Sequence, residues 1–174
     1  MKKSDIMVMP PFFDRYIQLG EDIELLVALE KYNPEALFEN IGQLEALKDK
    51  TYAPNKWTIK DILQHVIDNE RIMAYRALRF SRKDATVLPG YEEALLASHS
   101  IASQRTITDL MDEFRAIRNS TNSLFKYMSD DMLLSSGNAN GIVISALSLG
   151  YVIVGHAIHH QKIIIERYLG LLDE

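Results

Sequence analysis

Between residues 107 and 128 the chain carries a seam at alternating intervals of three and four: Ile107, Leu110, Phe114, Ile117, Thr121, Leu124 and Met128. Such a rhythm marks a helix packed almost parallel or antiparallel to its neighbours. It recurs near the C-terminus in Ala146, Leu149, Ile153, His156, His160, Ile163 and Arg167. A third copy runs through Thr58, Ile62, His65, Asn69, Ile72 and Arg76. Two of these three seams turn polar partway along, and both do so at histidine. A chain with several such seams must bundle its helices, and it must also find something for the buried imidazoles to do.

Local signals set the expected boundaries. Residues 22–31 (DIELLVALEK) read as a short helix. Asn33-Pro34-Glu35 reads as a fresh start, with Asn33 as cap and Pro34 in the first turn, running to about Lys48. Thr58 is the expected cap of a long helix reaching Phe80, and another spans about 103–128. Residues 81–103, with Pro89-Gly90, read as a connection, and SSGNANG (135–141) reads as a turn cluster. Ser145 caps the last helix, which is expected to end near Gly170. The reading is an all-α, four-helix bundle forming one domain over 1–174. The long connection at 81–103 would cross over, leaving the second and third long helices pointing the same way and the last antiparallel to both.

Composition narrows the function classes. The net charge is −5, with both signs mixed along the chain and no basic stripe, which argues against nucleic-acid binding. No cysteine is present, so disulfides, thiolate metal sites and a cysteine nucleophile are excluded. Asp5, Pro10, Pro11 and Asp14 interrupt the first apolar run, unlike a signal peptide. No stretch approaches the roughly 18 apolar residues of a membrane span. A cytoplasmic protein without membrane attachment is the expectation.

His156 and His160 are four residues apart, about 40° of rotation and roughly 6 Å of rise on an α-helix. Two imidazoles so placed can converge on one metal ion. A catalytic site needs three protein ligands and an open position, and His65, in the equivalent seam of another helix, is the candidate third. The competing reading is a surface pair of histidines. Against it, three separately buried rings would each need a partner. His159, turned to the flank, reads as a pocket or surface residue, and His99 has no assigned role.

Asp68 lies three residues after His65, on the same side as Asp61. Either carboxylate could orient His65, and Asp68 is the candidate catalytic base. The alternative is a solvated acid paired with Arg71. Asn69 and Arg76 extend the seam as candidate substrate-pocket residues. Arg76 would bind an anionic group bidentately or snorkel out at the bundle end. Tyr75, Tyr151 and Trp57 read as packing residues. Phe12, Phe13, Tyr16, Met7 and Met9 form an apolar surface expected to serve a homodimer.

The stretch NKWTIKDILQHVIDNERIMAYRALRFSRKD, then LPGYEE, then GHAIHH followed by ERYL, resembles the DinB-like superfamily from about Tyr16 to Leu169. This is a family of metal-binding four-helix bundles that includes the YfiT-type bacillithiol transferases. The resemblance implies a divalent metal, zinc or nickel before iron or manganese, held by His65, His156 and His160, with a small-molecule substrate. It also implies an activity: a hydrolase, or an S-transferase using a low-molecular-weight thiol from outside the chain, in detoxification or stress response. It supports a homodimer. Many relatives have Glu where this chain has Ala157, so no acid–base role carries over there. That departure leaves a non-catalytic, dimeric metal-binding bundle as the alternative.

Overall fold

Small polar side chains decide where the long helices begin. In the computed structural model, which describes residues 1–172, Thr58 accepts from the Asp61 amide at 3.2 Å while Asp61 accepts from the Thr58 amide at 3.0 Å. Thr106 and Asp109 form the same reciprocal cap, and Ser145 accepts from the Ser148 amide at 3.0 Å. Each satisfies donors that a helix start otherwise leaves unpaired. In chain order the helices are α1 (Asp14–Ile17), α2 (Leu25–Lys31), α3 (Pro34–Leu37), α4 (Ile41–Leu47), α5 (Ile59–Ser81), α6 (Glu93–Ser98), α7 (Ile107–Lys126) and α8 (Asp130–Leu134). A hairpin of β1 (Ser136–Ala139) and β2 (Ile142–Ser145) then leads into α9 (Ala146–Arg167).

The chain is therefore mostly helical. Helix α9 is buried on nearly every side from Ala146 to Ile158, as expected of a helix that is apolar all round. It packs on α5 with opposite polarity. Tyr168, just past α9, donates to the Trp57 carbonyl before α5 at 2.5 Å. At the other end Ser135 Oγ donates to the Phe80 carbonyl. Helix α7 lies against α5, and the short helices α2, α3 and α4 close the remaining side against α7. The seams are buried over most of their length: Ile107, Leu110, Phe114 and Thr121 in α7, and Ala146, Leu149, Ile153, His156 and His160 in α9. Among the described residues no helix is long and apolar enough to cross a membrane.

Several expected boundaries move, each for a local reason. Residues 22–24 stay out of α2 because the N-terminal segment pairs with them. Lys2 bridges Glu24, and the Ser4 amide donates to Asp22 at 2.8 Å. The helix expected over 34–48 is broken in two. Phe38 leaves helical geometry to bury its ring near Phe114, and Asn40 recaps α4 by accepting from the Gln43 amide. The third long helix starts at Ile107 rather than about Ser103, since a 3₁₀ turn over Ala102–Gln104 precedes the Thr106 cap.

The 135–141 turn cluster is the inner strand and bend of a hairpin, paired Ser136 to Ser145 and Ala139 to Ile142. Asn140 (φ 55°) and Gly141 (φ 83°) form its two-residue turn, the mirror-image type that suits strand twist. The apolar surface expected at the N-terminus also needs correction. Met7, Val8, Met9 and Phe12 are exposed, but Phe13 is buried and Tyr16 is half-buried against α9.

Candidate metal centre

Helix α5 brings His65 and helix α9 brings His156 and His160 to one point inside the bundle. The ring centroids are 4.6–4.9 Å apart in all three pairs. One ligating nitrogen from each ring lies within 4.8 Å of the other two, and His65 Nε2 faces His156 Nε2 at 3.0 Å. All three are buried, at 7%, 2% and 7% exposure. Burial therefore holds the rings neutral. It lowers His65 to about 4, and it pushes His156 well down and His160 down, with neighbouring imidazoles adding to the effect.

Neutral rings keep a lone pair free for a cation. Among the described residues, four buried side-chain polar atoms lack a partner, and two of them, His160 Nδ1 and Asn69 Oδ1, belong to this region. No carboxylate joins the cluster among the described residues. Three converging neutral imidazoles with an unsatisfied ring nitrogen suit a divalent metal ion. The donor set fits the metal that the seam implied.

Aromatic packing orients the rings. Trp57 stacks at a tilt on His65 (4.7 Å), and Tyr16 meets His156 (5.2 Å) and His159 (5.4 Å) edge-on. Gly155 makes the second contact reachable. A Cβ there would sit 1.9 Å from the Tyr16 carbonyl oxygen, so only glycine lets α1 approach α9 this closely.

Two openings lead to the cluster. One cavity of about 200 Å³ reaches His156 and is lined by Tyr16, Asn69, Arg76 and Tyr91 among others. A second, of about 290 Å³, reaches His160 past Tyr52, Lys56, Trp57 and Tyr168.

The remaining expected site residues divide. Asn69 and Arg76 line the cavity at His156 and are 5% and 4% exposed. Arg76 does not snorkel outward. Half-buried His159 stands beside His160 with ring centroids 5.0 Å apart, outside the three-ring cluster. Asp68 is not brought to the imidazoles. It accepts from Gln64 Nε2 at 3.0 Å and from Arg71 at 3.5 Å. It lines a separate cleft of about 840 Å³ that also contains Arg105 and Glu113. Asp61 is engaged in the α5 cap. Ala157 is fully buried and presents only a methyl group. Tyr75, expected in packing, is about half exposed, while Tyr151 is buried and donates to the Ile23 carbonyl.

Tyr16 and Tyr91 were not read as site residues. For Tyr91 the signal was its place in LPGYEE. For Tyr16 it was the pairing with a glycine 139 positions later, which no local pattern reveals.

No curated protein matches this chain. Among solved structures, its fold is similar to that of YfiT from Bacillus subtilis, with a TM-score of 0.73 over 87% of this chain and 91% of that one, at 16% identity. That protein is described as a probable metal-dependent hydrolase with an unusual four-helix bundle topology. The family model of the DinB superfamily matches residues 31–164, a span that holds all three clustered histidines together with Asn69 and Arg76. By that match over most of its length, the chain belongs to the DinB superfamily.

Proposed function

We propose that this protein is a metal-dependent enzyme acting on a small molecule, with His65, His156 and His160 holding the ion. The observation that carries this reading is the burial of three neutral imidazoles whose ligating atoms lie within 4.8 Å of one another. A divalent ion there, zinc or nickel before iron or manganese, supplies Lewis-acid polarisation and lowers the pKa of a water or thiol that reaches it. The chain's own residues do the rest. Trp57 and Tyr16 hold the imidazoles in orientation and each lines one of the two openings. Asn69 and Arg76 wall the approach to His156 and position what enters. Asp68 takes no part in this reading, because its hydrogen bonds go to Gln64 and Arg71.

The leading activity is hydrolysis, supported by the likeness in fold to a protein described in those terms. Transfer to a low-molecular-weight thiol is the second reading. The observation favouring it is the pair of separate openings at His156 and His160, which would admit two reactants to one centre. We also propose that the connection at 81–103 is a crossover that leaves α5 and α7 parallel, supported by the pairing of Gln64 with Arg105 and Arg71 with Glu113. The proposal includes a homodimer, supported by exposed Met7, Val8 and Phe12 and tested by light scattering.

Elemental analysis of purified protein tests the centre. Wild type should carry one divalent ion per chain and His156→Ala essentially none. Unchanged metal content in that variant overturns the assignment. Screening the loaded enzyme on esters and amides, and on thiols with electrophiles, separates the two activities.

A further inference from the structure

The cavity at His156 holds binding capacity that the imidazoles do not use. The Arg76 guanidinium is buried, yet it donates only to the Pro89 carbonyl at 2.9 Å and to Met73 Sδ at 3.8 Å. Among the described residues no carboxylate lies within ion-pair distance of it. A buried cation without a counter-charge is costly, and this one lines a cavity rather than packed core.

Seven residues earlier, on the same face of α5, Asn69 donates its amide N–H to Tyr91 Oη at 2.8 Å. The Asn69 amide oxygen, buried and unpartnered, needs a donor from outside. The face of α5 thus carries an imidazole of the cluster, then an unpartnered acceptor, then a cation that faces the Tyr91 ring at 5.8 Å but has no carboxylate. Exposed Glu93 also lines this cavity, and its negative charge disfavours a multiply charged ligand. The volume of about 200 Å³ corresponds to about seven waters, which fits a ligand of roughly that many heavy atoms.

We infer that the substrate is a small monocarboxylate bearing an amide N–H or a hydroxyl beside the carboxylate. The carboxylate pairs with Arg76, the donor hydrogen-bonds to Asn69 Oδ1, and the remainder extends toward His156. As a statement about substrate this rests on the metal-centre reading above. As a statement about binding it stands alone, so its test is made without metal.

The full chain is dialysed against a chelator and titrated calorimetrically with N-acetylglycine, with its neutral counterpart N-acetylglycinamide, and with inorganic phosphate. N-acetylglycine should bind at least about ten-fold more tightly than either of the others, as expected for a charge-assisted hydrogen bond in a buried site. Arg76→Gln should lose at least about ten-fold of that affinity, with Arg76→Lys between. Where Arg76→Gln fails to fold, the wild-type chain decides. The Arg76 Nε–H resonance in ¹H–¹⁵N spectra should shift with N-acetylglycine and not with the amide. Equal binding of acid and amide, tighter binding of phosphate, or an unmoved Arg76 resonance overturns the proposal. None of these results bears on whether His156→Ala loses metal, so the two readings fail separately.

Discussion

Arg118 and Arg76 are buried to nearly the same degree, at 2% and 4% exposure, and they are held in opposite ways. Arg118, on α7, forms a two-pronged pair with Glu70 of α5, both contacts at 2.9 Å. Its remaining terminal nitrogen donates to the Leu29 and Tyr32 carbonyls at the end of α2. Its charge is met and its donors are used, so it ties three helices together. Arg76 has one carbonyl, one sulfur, the Tyr91 ring 5.8 Å away and a cavity, but no carboxylate. A closed polar network of the first kind holds a fold, whereas an open one of the second kind leaves bonds for a ligand to complete. Burial alone would have ranked the two residues together. The inventory of their partners separates them.

That contrast can be broken, and the largest effect falls on the closed side. Arg118→Ala leaves the Glu70 carboxylate buried and unpaired, and should cost about 3–5 kcal/mol of stability, read from urea unfolding. The double variant Arg118→Met with Glu70→Leu should recover most of this loss, since it removes both charges together. A double variant as unstable as the single one would show that packing, not the charge, carries the effect.

Acid sensitivity tests the open side. The His65 pKa lies near 4 in the folded chain, below its ordinary value of 6.5, mainly through burial. The unfolded chain thus binds more protons between these values. The stabilisation is present above about pH 6.5 and is lost as pH falls through about 4. For His65 alone this amounts to about 3 kcal/mol. Metal-free wild type should therefore lose stability steeply between pH 7 and 4, and His65→Gln should lose less by about that amount. Parallel pH profiles would refute the buried neutral ring.

The smallest effect is the sharpest discriminator. Arg76→Met should change stability by no more than about 1 kcal/mol, because the lost carbonyl hydrogen bond is offset by removing an uncompensated buried charge. The same variant should abolish carboxylate binding. A loss as large as that of Arg118→Ala would mean that Arg76 is structural and the comparison is false.

Much of this architecture is legible in the sequence. The seams located the three long helices, and Thr58 and Ser145 marked the starts of two of them, because periodicity and capping act within a few residues. The three histidines stood out for the same reason, as polar groups at positions that had to be buried. What could not be read was decided over long distances. Tyr16 seemed a surface aromatic until α1 docked at Gly155. The hairpin escaped because Ser136–Ala139 has no strand propensity of its own and is held by pairing with β2 and by a bridge from Ala139 to Leu88.

The amino-acid order by itself determined the helices, their apolar faces and the three imidazoles turned inward, since each follows from spacing along one rigid rod. Tertiary structure alone decided which of two buried arginines kept a guanidinium without a carboxylate, and which aromatic rings flank the histidines. Those outcomes depend on which atoms come within about 3 Å across separate helices. No pattern along a single helix encodes that distance.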